Sequence, residues 1–572
     1  MGVCGKGLAG ALALAWLCTG CGEDAGGGGP EGGTVVFGPS AADPDRPGMS
    51  PSANPGLGPG IGPADEPVAA PRLPPPPPIA FAPEPGTFAE PFELTLEAAL
   101  PGAEIHYTLD GTIPDAGSER YIAPIMVDAT TQVRAIAIAP DAQTPVVHGL
   151  YVHLAPDAAG ITSNLPLVVV HMLGRGAPDQ NDYEYGAAGL LMMRSDVGDT
   201  SMLGQAEIDS RIGIKVRGRS TRRDPKHSFS LELWDLLDEI DHDLPLLDMP
   251  AHSDWALYAP YEWDRALIRN ALIYALSNDV GRYAARTRFV ELYLIEGQDS
   301  VRAEHYQGLY VLMERIKRGG ARVAISKLAP EDVVEPAITG GYIVKIDDPG
   351  NDEEGFRAAG QGFAHVYPKE LEIAHDQLGY LTGYLDGVAR AAASPDGVDP
   401  DSGTHYSELI DVPSFLDHHI LNTLAKNPDA LRLSAFFHKD RAGALHAGPV
   451  WDFDRTMGSY DGRDEDPEDW SAGGDGTELF EHEVWGELFA HSEFRDAYVA
   501  RFRQLIQGEL STAAIHAHVD AMAAEIGQAA DRNAQRWPQV PPRDGSFDAE
   551  IQNLKQWLAA RVAWIGENLD GL

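Results

Sequence analysis

The spacing of apolar residues changes character once along this chain, and that change limits the folds open to it. From about residue 79 to 346 apolar residues come in short runs or alternate with polar ones, the period of strands; beyond about 370 they recur at helical spacing. Residues 165–172 read as a buried strand, 212–216 and 229–233 as strands around a turn, and 289–295, 308–313 and 342–346 as further strands. Residues 267–276 have helical spacing. Leu378, Leu381, Tyr384 and Leu385 make an i, i+3, i+4 face, 414–424 and 494–506 look helical, and Leu554, Trp557, Leu558, Val562 and Ile565 mark a closing helix. Strands first and helices later predict an α+β main domain of two lobes over 163–530, with a helical segment at 531–572.

The first 78 residues stand apart. Lys6 precedes an apolar stretch at 8–17 that is too short to span a bilayer. Leu17-Cys18-Thr19-Gly20-Cys21 then resembles a bacterial lipoprotein signal, with Cys21 as the lipidated residue; Cys18 stands where such signals usually carry Leu, and ordinary secretory cleavage is the alternative. Cys4, Cys18 and Cys21 are the only cysteines, so neither a disulfide scaffold nor a Cys-ligated metal site is available. Residues 22–78 are rich in Gly and Pro and end in five prolines, a linker with an extended last part. The expectation is an exported body at the cell envelope, held to a membrane by one lipid anchor. A net charge of -43 argues against nucleic-acid binding and fits a soluble surface.

Residues 79–153 carry alternating runs in Phe92-Glu93-Leu94-Thr95-Leu96, in Glu104-Ile105-His106-Tyr107-Thr108 and in Val133-Arg134-Ala135-Ile136-Ala137-Ile138, separated by Gly, Pro and Asp. Short strands at this spacing predict a small all-β sandwich. The run from Glu104 through Asp110-Gly111-Thr112-Ile113-Pro114, with Tyr121 and Tyr151, resembles the chitobiase/β-hexosaminidase C-terminal-type module. That resemblance implies an accessory domain, open to carbohydrate binding or to service as a spacer.

Further on, Asn427-Pro428-Asp429-Ala430-Leu431-Arg432-Leu433-Ser434 leads into an apolar run to His438, a polar turn at 439–443, and Gly448-Pro449-Val450-Trp451-Asp452-Phe453-Asp454. The middle reads as a β-hairpin, which would fold Asp429 and Asp452 back toward one end of a cleft. Two carboxylates in different jobs suit phosphoryl transfer from a nucleotide: one takes the attacking hydroxyl's proton, the other holds the metal bridging the phosphates. The plainer reading makes both aspartates caps or turn residues and Trp451 and Phe453 core.

Upstream blocks favour the first reading. They are Val216-Arg217-Gly218-Arg219-Ser220-Thr221 with Lys226-His227-Ser228-Phe229, Asp254-Trp255-Ala256-Leu257, Asp264-Arg265-Ala266-Leu267-Ile268-Arg269-Asn270, 308–317, and Gly340-Gly341-Tyr342-Ile343-Val344-Lys345. In this order, with the Asp429–Asp454 block, they resemble the CotH family of spore-coat-type protein kinases. The resemblance implies an atypical kinase-like fold that moves the γ-phosphoryl of ATP, with Mg²⁺ or Mn²⁺, onto Ser or Thr of a surface or coat protein. It implies Asp429 as the catalytic-loop aspartate and Asp452 as the metal ligand, with Asp454 a second metal ligand or a capping carboxylate. For the phosphates, Lys226 and Arg269 are the first cation candidates. Arg432 could touch phosphate or hold Asp429, and Glu314 could pair with Lys226 or line the nucleotide pocket.

Two departures matter. Typical kinases carry a metal-binding Asn five residues after the catalytic Asp; here that place is Ser434, a weaker ligand. No Gly-rich phosphate loop stands out. His418-His419 lies on a helix where neighbours point apart, so it is not a metal pair. Residues 461–469 are acidic without the ligand spacing of a Ca²⁺ loop, and read as a solvated loop or lid near the site. The competing reading is a catalytically weak binding or assembly protein on the same fold; Ser434 and an exported location, where ATP is scarce, favour it.

Overall fold

The computed structural model describes residues 78–235, 240–347, 355–471 and 478–572. The signal-like stretch, Cys21 and nearly all of the Gly/Pro-rich linker lie outside the described residues. Among those described, no helix is long and apolar enough to cross a membrane.

The first described region is a sandwich of two sheets. Strands Ile79–Ala82, Phe92–Ala98 and Ile125–Val127 form one. Thr131–Ala139, flanked by Glu104–Thr108 and Val147–His153, centres the other. Alternation along Phe92–Ala98 buries Leu94 and Leu96, which meet Ile105, Tyr107, Val133 and Ala135. The sandwich is spliced to the strands beyond residue 160. Strand Gly204–Gln205 pairs with Gly86–Phe88 and so extends its sheet. Leu150 and Val152 pack against Leu167, Val169, Leu191 and Met193. Asp209 accepts the Leu150 backbone N–H and bonds His148, each at 3.0 Å.

Seven strands then close a barrel in the order Leu167–His171, Gly186–Met193, Ile208–Arg217, Ser228–Trp234, Asp254–Tyr258, Tyr306–Glu314 and Thr287–Ile295. The neighbours are antiparallel, except that Leu167–His171 meets Thr287–Ile295 in parallel to complete the ring. Val168, Leu190, Ile212, Ile214, Leu231, Trp255, Leu292 and Leu312 fill the interior, and each such side chain contributes about 1.5–3 kcal/mol by leaving water. Five of these strands fall where the apolar runs predict them. Closure and the strands Gly186–Met193 and Asp254–Tyr258 are additions. Gly186-Ala187-Ala188-Gly189 has little strand propensity of its own and pairs because Ile208–Arg217 lies beside it.

Beyond the barrel lies a five-stranded sheet, ordered Gly355–Ala358, Gln361–Tyr367, Tyr342–Ile346, Ala435–Lys439 and Leu445–Ala447. The last two strands are the expected hairpin. Eight α-helices are present among the described residues: α1 (Arg269–Asp279), α2 (His375–Ala393), α3 (Tyr406–Leu409), α4 (Val412–Ala425), α5 (Glu483–Ala490), α6 (Ser492–Gln507), α7 (Thr512–Arg536) and α8 (Phe547–Asn568). On one face of the sheet Val344 and Phe437 pack with Leu381 of α2 and Phe415 of α4. On the other, Ile343 and Phe436 pack with Ile316, Val323 and Trp451. The fold is thus a mixture of helices and sheets. The 530/531 boundary read from sequence falls inside α7, and α8 belongs to the main core through Leu554, Leu558 and Ile565.

Candidate functional site

Helix α1 fixes the segment that carries Asp452. Asn270 and Tyr274 are one turn apart and so share a face. The Phe453 backbone N–H donates to Asn270 Oδ1 at 2.7 Å, and the Asp452 N–H donates to the Tyr274 hydroxyl at 3.2 Å. Trp451 stacks on the Tyr274 ring at 5.8 Å, and Phe453 is buried in the core. These anchors hold Asp452 at φ +66°, a left-handed conformation that costs a residue with a Cβ about 1–2 kcal/mol. Leu431 and Ser434, at φ +66° and +51°, are strained in the same way, and such residues persist only where their surroundings over-determine them.

Asp429 follows α4 through a short turn, in which its N–H donates to Asn427 Oδ1 at 3.0 Å. Its carboxylate is gripped on one oxygen: Arg432 donates to Oδ1 at 2.5 Å and Arg463 at 3.2 Å. Oδ2 has no hydrogen-bond partner among the described residues. Ser434 Oγ donates to Asp452 Oδ2 at 3.4 Å.

The acidic groups act on one another. Asp452 is exposed to solvent, yet neighbouring protein atoms crowd its carboxyl and desolvate it. That desolvation pushes its carboxyl up; the Arg217 guanidinium pulls it down, and the charges of Asp429 and Asp347 push it up again. Asp454 is buried and makes no hydrogen bond among the described residues, and burial followed by the Asp452 charge drives it well above the usual carboxylate range. Bringing a cation to such a pair relieves both effects. Among the described residues, no group of three or more His, Cys, Asp or Glu side chains is arranged to hold a metal by itself. The residues present fit Mg²⁺, which takes one or two carboxylates and completes its shell with phosphate oxygens and water.

The other residues singled out in the sequence lie elsewhere or do other work. Lys226 is fully buried in the barrel wall and donates to Leu309 O at 2.7 Å, Asn533 Oδ1 of α7 at 2.9 Å and Pro260 O at 3.0 Å. Its amine is enclosed by these three acceptors, and burial pushes it well below the ordinary lysine range, so it offers nothing to a phosphate. Arg269, also buried, donates to Asp264 Oδ1 at 2.9 Å, Thr456 O at 2.7 Å and Gly458 O at 3.2 Å. It rivets α1 to the loop after Asp454. Glu314 pairs with Arg286 at 2.8 Å rather than with Lys226, and accepts the Tyr283 hydroxyl at 3.1 Å. Arg432 holds Asp429. The acidic loop at 461–469 is not simply solvated: Lys426 donates to Asp466 O, Trp557 to Asp464 O, and Arg561 to Pro467 O and Asp469 O. Arg463 of that loop reaches Asp429, a contact that sequence reasoning missed.

The paired histidines of α4 diverge. His419 bonds the Tyr498 hydroxyl at 3.0 Å and Leu479 O at 2.8 Å. Both His418 ring nitrogens lack a partner, and the ring lines a cavity of about 280 Å³ with Arg282, Tyr283 and His438. Burial pushes His418 down to about 4 and His419 to about 3.

A barrel joined to a sheet-and-helix layer, with Asp452 and Asp454 on a segment pinned by a buried helix and Asp429 near enough to act on both, defines a mixed α and β protein with a cluster of three aspartates. Residues 214–565 match the family described as CotH kinase protein, and residues 83–148 match the chitobiase/β-hexosaminidase C-terminal domain. The first match spans more than half of the 572 residues, and the chain belongs to the CotH kinase family. No curated protein matches the chain.

Proposed function

We propose that the chain is an exported protein kinase of the CotH type, moving the γ-phosphoryl of ATP to a Ser or Thr hydroxyl on surface or coat proteins. Its two lobes are the barrel and the sheet-and-helix layer. The observation that carries this reading is the unequal treatment of the two aspartates. Asp429 has one oxygen clamped by Arg432 and Arg463 and the other free, the arrangement of a group that orients a hydroxyl and accepts its proton. Asp452, beside Asp454, is a carboxylate whose ionised form lacks a full complement of partners. Asp452, Asp454 and the Ser434 hydroxyl would hold Mg²⁺ or Mn²⁺. The metal and ATP supply the activated phosphoryl group and neutralise charge on its oxygens. The chain's own residues hold the acceptor oxygen in line and take its proton at Asp429.

In the same proposal Cys21 carries a lipid that anchors the body to the cell envelope, and residues 79–153 serve as spacer or carbohydrate contact. Ser434 favours a second reading, a catalytically weak assembly protein on this fold, because a hydroxyl replaces the amide that would hold a second metal. Incubating the purified chain with γ-labelled ATP and Mg²⁺ or Mn²⁺, beside Asp429→Ala and Asp452→Ala, separates the two. Label transfer by the wild type alone is the expected result. Transfer that both variants retain contradicts the site, and absence of both transfer and nucleotide binding favours the assembly reading.

A further inference from the structure

With Lys226 and Arg269 locked into the scaffold, the cleft needs another cation for phosphate. Arg217 ends the barrel strand Ile208–Arg217, just before Gly218 at φ +100°. Its guanidinium lies 5.2 Å from the ring of Trp451, the residue before Asp452. After burial, its charge is the largest influence on the Asp452 carboxyl. Yet the half-buried Arg217 side chain makes no hydrogen bond and no ion pair among the described residues, and its Nη1 is sealed from solvent with no acceptor.

The neighbouring cations differ. Arg432 and Arg463 hold Asp429. Arg455 is engaged by Asp461 and by Ser220 Oγ, each at 3.2 Å. Lys345 pairs with Asp347 at 3.0 Å. A buried donor left unsatisfied opposes folding, and a guanidinium offers five donors in a fork that matches two phosphate oxygens at once. Burial and then Arg315 push Arg217 down to about 10, so it stays protonated at neutral pH.

We propose that Arg217 is the side chain that receives the phosphate oxygens of the nucleotide, beside the metal-holding Asp452. The assignment rests on the kinase reading. It makes the barrel rim, through one strand-terminal arginine, a wall of the nucleotide site. It also explains why Trp451 is stacked firmly on Tyr274: the ring is the platform on which the guanidinium lies.

Calorimetric titration of the purified chain with Mg²⁺-ATP and with adenosine tests it. In Arg217→Met, ATP affinity falls by about 10-fold or more, the loss expected for a charge-assisted hydrogen bond, while adenosine affinity is unchanged. Arg217→Lys keeps the charge and loses the fork, and falls between. ATP affinity in Arg217→Met within about 2-fold of wild type, far less than one such bond is worth, overturns the assignment and leaves the kinase reading standing. Wild-type chain that binds no ATP overturns the kinase reading, and Arg217's role with it. Should Arg217→Met not fold, judged by circular dichroism, Arg217→Lys decides: unchanged ATP affinity there also overturns the assignment.

Discussion

Two groups of charged side chains meet helix α1, and the fold treats them oppositely. At its first residue, Arg269 is buried with Asp264, and its donors are shared among Asp264, Thr456 O and Gly458 O. One residue later Asn270 begins the brace of a segment whose aspartates are poorly served: Asp454 is buried without a hydrogen bond, Asp452 accepts only a long bond from Ser434, and the Arg217 side chain that acts on Asp452 is itself unpaired. Lys226, with three acceptors, sides with Arg269. Satisfied charge is scaffold; charge left unsatisfied beside a strained backbone is where a ligand is expected.

The largest effects should come from breaking the satisfied group. Asp264→Ala leaves the buried Arg269 guanidinium with only the more distant Glu550 carboxylate, at 3.8 Å, and should cost about 3 kcal/mol, read as a fall in the denaturant midpoint. On the other side, Asp429→Asn should lower phosphoryl transfer by about 10²–10⁴-fold; it also takes the charge from the part-exposed Arg432 and Arg463 pairs, worth at most about 1 kcal/mol each, so the melting temperature should fall only slightly. Lys226→Met removes the donor to Leu309 O and Pro260 O and leaves Asn533 Oδ1 with only the Leu309 N–H; it should cost about 1–3 kcal/mol, and any loss of ATP affinity should follow from unfolding alone.

Asp454→Asn should do the reverse of Asp264→Ala. Removing a carboxyl whose ionisation is opposed should raise stability at pH 7 by about 1 kcal/mol, a few degrees in melting temperature, while weakening Mn²⁺ binding.

The smallest effect is in pH dependence. His418, His419 and His438 have folded values pushed down by burial, to about 4, 3 and 4. The unfolded chain takes up their protons near 6.5 and the folded chain does not, so their contribution to stability is present above about 6.5 and is lost as pH falls toward about 4. Asp452 and Asp454, raised in the fold, give the opposite slope: the folded state holds protons that the unfolded chain has released, and stability declines as pH rises above the ordinary carboxylate value. Melting curves from pH 4.5 to 7 should show His418→Leu flattening the acid-side fall and Asp454→Asn flattening the decline on the other side.

The sequence made the hairpin and its two aspartates legible because a polar turn between two apolar runs is a local signal. It made α2 legible through the i, i+3, i+4 face of Leu381, Tyr384 and Leu385, and α1, α4, α6 and α8 through their helical spacing. Barrel closure was not legible, since it depends on His171 meeting Ile295 across more than a hundred residues. Helix α7 was hidden by its alanines, although Ile515, Val519 and Ile526 trace its buried face. Lys226 misled for a reason of the same kind. A lysine before a strand can face either side of the wall, and Asn533, the partner that captures it, is 307 residues away. Arg217 stood in a recognised block, but nothing local distinguishes a strand-terminal arginine with no partner from one with several.

The most direct test of the division between scaffold and site is Mn²⁺-ATP binding measured with thermal stability on Asp452→Asn and Asp264→Asn. The account predicts that Asp452→Asn abolishes Mn²⁺-ATP binding with a melting temperature equal to or above wild type, whereas Asp264→Asn melts markedly lower and, at temperatures where it is folded, still binds. Asp452→Asn that binds Mn²⁺-ATP as tightly as wild type, or that melts as low as Asp264→Asn, would contradict it.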